Sequence, residues 1–148
     1  MIARDRLVLL DTNVLLHILR GRAAGTWLLE RFALLARPEK PLVSVVSMGE
    51  MWRMAERRRW GPAQREKLEA VGSAVLVIDL EPAVVRGYGE LGAYLDDRGV
   101  PIPQNDLWIA STAHAKHATL LTADRHFDAL ADAGRLTREF VDPGDLPR

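Results

Sequence analysis

The stretch Leu7-Val8-Leu9-Leu10-Asp11-Thr12-Asn13-Val14-Leu15-Leu16-His17-Ile18-Leu19 decides the fold. Its first four residues are apolar without alternation, the pattern of a strand buried on both faces. The run stops at Asp11, and helical spacing takes over from about Thr12 to Leu19, ending near Gly21. A doubly buried strand that passes straight into a helix is the opening unit of a parallel sheet with helices on both sides. It also sets an aspartate at the carboxyl end of a strand, the edge where such sheets do their chemistry.

The same alternation continues outward from this unit. A second helix is expected over Ala24–Ala36, stopping before Pro38. Leu42–Val46 is β-branched and apolar and reads as a second strand. Ser47-Met48-Gly49-Glu50 then has the capping-box form, opening a helix with Met48, Met51, Trp52 and Ala55 at helical spacing and ending at Gly61-Pro62. A short helix over Ala63–Val71 and a strand over Val75–Ile78 follow. Pro82 starts a helix whose apolar face is Val84, Val85, Tyr88, Leu91 and Leu95, and Gly99 closes it. After the loop Val100–Asn105, Asp106 opens a helix to about Lys116. Thr119–Leu121 is a fourth strand, and Phe140–Val141 a short fifth. The predicted architecture is an α/β fold, a three-layer α/β/α sandwich around a mostly parallel sheet of four to five strands. We expect one domain spanning 1–148.

Composition narrows the function classes. With 148 residues, 48% of them hydrophobic, the chain can bury a core without staples. It has no cysteine, which excludes disulfides and thiolate metal sites. No run reaches the ~18 apolar residues of a spanning helix. The leading apolar run is broken by Asp11 and Asn13 and makes a poor signal peptide, so a cytoplasmic protein with no membrane partner is expected. Twenty basic residues balance 20 acidic ones, so the global charge is not that of a strongly basic nucleic-acid binder. Locally the picture differs: Glu50 to Lys67 holds six basic residues, Arg53 and Arg57 among them, against three acidic ones.

Four carboxylates fall at matching places in this alternation. Asp11 follows the first strand, Glu50 lies one turn into the helix after the second, Asp106 heads the helix before the fourth, and Asp124 falls just beyond it. Right-handed crossovers bring such positions to one edge of the sheet. Carboxylates packed together repel, and a divalent cation relieves the repulsion; oxygen donors select magnesium or manganese. That chemistry suits phosphodiester hydrolysis by metal-activated water. Singly, each acid also fits a structural role: Asp11 as a helix cap, Glu50 as the capping-box partner, Asp106 at a helix N-terminus, Asp124 in a turn.

The segments Leu9-Leu10-Asp11-Thr12-Asn13-Val14-Leu15, Ser44-Val45-Val46-Ser47-Met48-Gly49-Glu50, Pro101-Ile102-Pro103-Gln104-Asn105-Asp106-Leu107-Trp108-Ile109-Ala110 and Thr119-Leu120-Leu121-Thr122-Ala123-Asp124-Arg125-His126-Phe127 together resemble the PIN-domain family, and within it the VapC-type toxins of toxin–antitoxin pairs. The resemblance implies a five-stranded parallel sheet between helices, commonly in a homodimer. It implies an endoribonuclease using Mg2+ or Mn2+ and held in check by a cognate antitoxin protein. Asp11, Glu50, Asp106 and Asp124 would then be the catalytic and metal-holding acids, supported by Thr12, Asn13 and Asn105. Asp128, next to Phe127, is the alternative or helper to Asp124, because related sequences vary there.

Other residues have competing readings. Arg53 and Arg57 lie one and two turns beyond Glu50 and are candidate RNA-backbone contacts, and His126 is a candidate phosphate contact. His114 and His117 share a helix, but with no third ligand they read as exposed histidines. Trp52 and Trp108 read as packing rather than as base-stacking platforms, and His17 as structural. Two further functions compete with the ribonuclease. One is a phosphatase with Asp11 as nucleophile, against which Asn13 stands where a second acid is expected. The other is an inactive PIN-like scaffold that binds RNA or protein.

Overall fold

The computed structural model describes residues 1–148. Five short strands form one sheet: β1 (Val8–Leu10), β2 (Leu42–Ser44), β3 (Leu76–Ile78), β4 (Thr119–Thr122) and β5 (Arg138–Phe140). Their order is β3-β2-β1-β4-β5 and every pairing is parallel. The order reverses at β1, whose neighbours β2 and β4 come from distant parts of the chain. That reversal is the topological switch point, and a crevice opens there beyond the strand ends.

The apolar runs are buried on both sides because successive residues point to opposite faces. Val8 and Leu10 of β1, Val43 of β2 and Leu121 of β4 enter one core, with α1 (Thr12–Arg20), α2 (Ala23–Arg31), α3 (Val45–Arg57) and α4 (Pro62–Ala74) packed over it. Leu9, Leu42 and Leu120, the intervening residues, enter the other, under α5 (Pro82–Arg98), α6 (Gln104–Lys116) and α7 (Asp128–Asp132). This is the expected three-layer sandwich. Tyr88 of α5 stacks on Trp108 of α6 at 3.9 Å between ring centroids, so Trp108 is a packing residue. Trp52 packs against the first core.

Three local expectations need correction. The second helix stops at Arg31 rather than Ala36, because the chain turns through Ala33 at φ 49° to bury both Phe32 and Leu34. Arg37 then ties this turn to the N-terminal segment, donating to Phe32 O (3.0 Å), Ala3 O (2.7 Å) and Ile2 O (3.0 Å). The second strand ends at Ser44, and Ser44 rather than Ser47 caps the next helix by accepting from Val46 N–H at 3.1 Å. Ser47 and Glu50 are thus one turn apart inside α3 and form no capping box. Finally, α6 begins at Gln104 behind Pro103, two residues before Asp106, which lies within its first turn. Gly25 lets α2 close onto α1: a Cβ there would sit 2.3 Å from the His17 carbonyl oxygen.

Candidate functional site

Sheet register builds the site. Leu10 of β1 is paired with Leu121 of β4, so the next residues, Asp11 and Thr122, emerge side by side at the carboxyl edge. Asp11 caps α1, its Oδ1 accepting from Thr12 N–H at 2.8 Å. Its Oδ2 accepts from the Thr122 hydroxyl at 2.7 Å. Thr122 Oγ1 in turn accepts from Asp124 N–H at 2.9 Å. One fully buried hydroxyl therefore ties Asp11 to Asp124 across the sheet.

The second link runs through Thr12. Its hydroxyl lies 2.7 Å from Glu50 Oε1 and 2.9 Å from Ser47 Oγ. A hydroxyl has a single proton, so it donates to the carboxylate and accepts from Ser47. Glu50 and Ser47 share the face of α3 turned towards α1, which is why the false capping-box pattern still marks the right residues. The third link is at His126, whose Nδ1 lies 2.8 Å from Asp106 Oδ2 and 3.1 Å from Asp124 Oδ2. Asp124 Oδ1 also accepts from His126 N–H at 2.8 Å, fixing the turn that carries the ring.

These links surround a crevice of about 510 Å³ lined by Asp11, Glu50, Asp106 and Asp124. Thr12, Asn13 and Asn105 line it as well, and Arg53 and Arg57 of α3 stand on its wall. Asp128 is placed elsewhere: it pairs with Arg138 and, at 3.7 Å, with Arg125, and those guanidinium groups hold its carboxyl below the usual range. Its position one turn past Asp124 turns it towards β5. His114 and His117 stand apart too. His114 Nδ1 is 3.2 Å from Arg135 O, and His117 ends α6 in the left-handed conformation. Two residues central to the site, Thr122 and Ser47, carried no functional expectation. A threonine closing a fully buried strand two residues before an acid was the available signal.

Electrostatics favour a cation. Asp11 is only 4% exposed, and burial pushes its carboxyl up to about 6, with the charges of Asp106 and Asp124 adding to the rise and its two hydrogen bonds opposing it. Burial raises Asp106 too, against the His126 hydrogen bond. Asp106 and Asp124 hold His126 above its ordinary value, the Asp106 hydrogen bond contributing most. Donor atoms of Asp106, Asp124 and His126 all lie within 4.8 Å of one another. Clustered carboxylates, one of them buried, fit a hard divalent cation. His126 adds a nitrogen to what the sequence suggests is an oxygen-only set.

The chain is 29% identical over 114 residues to Ribonuclease VapC2 of Rickettsia felis, covering 77% of this chain and 84% of that protein. Among solved structures, VapBC2 from Rickettsia felis, bound to a DNA fragment from its promoter, superposes with a TM-score of 0.78 at 28% identity, covering 92% of this chain and 99% of that one. VapBC-1 from nontypeable Haemophilus influenzae superposes with a TM-score of 0.77 at 24% identity, over 90% and 97% of the two chains, a likeness of fold. No helix of the structure is long and apolar enough to cross a membrane. The PIN domain model matches residues 8–133, from the first residue of β1 to just past α7, and the chain belongs to the PIN domain family.

Proposed function

We propose that this chain is a VapC-type endoribonuclease, the toxin of a toxin–antitoxin pair, which hydrolyses RNA phosphodiester bonds with the help of Mg2+ or Mn2+. The observation that carries the reading is the convergence of Asp11, Glu50, Asp106 and Asp124 on one crevice at the switch point of the sheet. The names of its ribonuclease relatives support the same reading. A cognate antitoxin, a second copy of the chain and a cytoplasmic setting belong with it, as does a single catalytic domain over 1–148.

The four carboxylates would hold the cation, and when bound it supplies a water of lowered pKa and positive charge for the phosphate. The protein's own contribution is placement. Thr122 and the Thr12 N–H occupy one lone pair on each Asp11 oxygen, fixing the carboxylate plane. Thr12 orients Glu50, and the Thr122 hydroxyl pins the backbone of Asp124. Arg53 and Arg57 supply fixed cations that draw a phosphate backbone to an otherwise acidic crevice. The phosphatase alternative has less support, because Asp11 is nearly buried with both carboxylate oxygens engaged.

RNA cleavage by purified protein, wild type beside Asp106→Asn, tests the proposal. Cleavage should require Mg2+ or Mn2+, stop with a chelator, and fall about a hundredfold or more in the variant at an unchanged melting temperature. Equal cleavage by a correctly folded variant would overturn it.

A further inference from the structure

We propose that His126 belongs to the cation site itself, as a nitrogen donor that tilts the crevice towards divalent transition ions and away from magnesium. This deepens the metal-dependent reading above and rests on it.

The geometry is the first support. His126 Nδ1 lies 2.8 Å from Asp106 Oδ2 and 3.1 Å from Asp124 Oδ2. Around a six-coordinate ion with bonds of about 2.1 Å, adjacent donors stand about 3.0 Å apart. The spacings from Nδ1 to both carboxylates are therefore those of neighbouring ligands on one ion. The ring reaches this position through a short, fixed connection. Asp124 accepts from the His126 backbone N–H, so the acid and the imidazole are presented together by a single 3-10 turn over Arg125–Phe127. The ring is 53% exposed and can settle onto an ion without disturbing the core.

Donor chemistry is the second support. Magnesium prefers oxygen ligands and retains much of its water. An imidazole nitrogen replaces one of those waters at a gain for transition ions, in the order that rises from manganese upward. A crevice of carboxylates alone makes this distinction weakly; one imidazole sharpens it. The competing role for His126 is that of a built-in counter-ion, an imidazolium that a divalent ion must expel. The two roles predict opposite effects of removing the ring.

Calorimetric titration with Mn2+ and with Mg2+, on wild type, His126→Ala and Asp106→Asn, separates them, with pulsed electron paramagnetic resonance on the Mn2+ samples. Expected are nitrogen-14 coupling to Mn2+ in wild type that vanishes in His126→Ala, and a fall of about tenfold in Mn2+ affinity against less than about threefold for Mg2+. A thermal melt of each variant confirms the fold. Absent nitrogen coupling, equal weakening for both ions, or tighter binding in His126→Ala would overturn the assignment. Asp106→Asn should lose both ions. If it binds both like wild type, or if wild type binds neither, the metal reading of the crevice fails together with the role of His126. If only the His126→Ala expectations fail, the metal reading stands without it.

Discussion

Replacing Asp11 with asparagine should stabilise the metal-free protein, and the gain should grow with pH. An aspartate with a value of 3.8 in open chain and about 6 in the fold carries an ionised form that folding disfavours. The shift corresponds to about 3 kcal/mol. The sign follows from proton binding. Between these two values the folded state holds more protons than the unfolded one, so stability falls as pH rises through that interval. Below about pH 3 the carboxyl is neutral in both states and there is no penalty; above about pH 7 the penalty is complete. Asparagine also loses a good acceptor for the Thr122 hydroxyl, a pH-independent cost of about 1 kcal/mol. The slope therefore matters, not the intercept. Urea unfolding of wild type and Asp11→Asn in chelator, from pH 4 to pH 8, should give a stability difference that moves by about 2.5 kcal/mol in favour of the variant. Saturating Mn2+ at pH 8 should reverse the order by stabilising wild type alone. A difference that stays constant with pH would refute the argument that burial governs Asp11.

The other expectations concern separate parts of the molecule. Thr122→Val removes the hydroxyl that joins Asp11 to Asp124, and divalent-ion affinity measured by calorimetry should weaken by about 10- to 100-fold. Arg53→Ala and Arg57→Ala should each weaken RNA binding and reduce its salt slope by about one, with little change in the single-turnover rate at saturating RNA. Gly25→Ala forces a methyl against the His17 carbonyl oxygen and should cost about 1–3 kcal/mol in denaturant unfolding while leaving metal affinity intact.

Most of the sheet and its layering was legible in the sequence because unbroken apolar runs such as Leu7–Leu10 have few places to go in a small α/β domain. The positions of Asp11 and Asp124 were legible for the same reason, since strand ends dictate them; Glu50 and Asp106 were legible as acids on the helices α3 and α6 that reach the same edge. Boundaries were less so. Val45 and Val46 are β-branched and read as strand, yet the Ser44 cap and the packing of α3 on the first core turn them into helix. The run through Ala36 reads as helix, but burial of Phe32 and Leu34 demands a turn that local preference does not announce. Thr122 and Ser47 were invisible as site residues because a hydroxyl's role depends on what faces it, 111 residues away for Thr122. His126 was visible as a neighbour of Asp124 but not as a partner of Asp106, which only the docking of α6 against the turn reveals. Asp128 and Asp124 look alike in sequence. Arg138 of β5 separates them.

The central position of β1 bears on how such a chain behaves during its own synthesis. Its partner β4 and the turn after it are made long after β1, so a ribosome-bound fragment lacking them has neither the Thr122 clasp nor Asp124 and His126. The acidic edge is thus completed only once β4 has been made and has paired with β1, Thr122 lying 111 residues beyond Asp11.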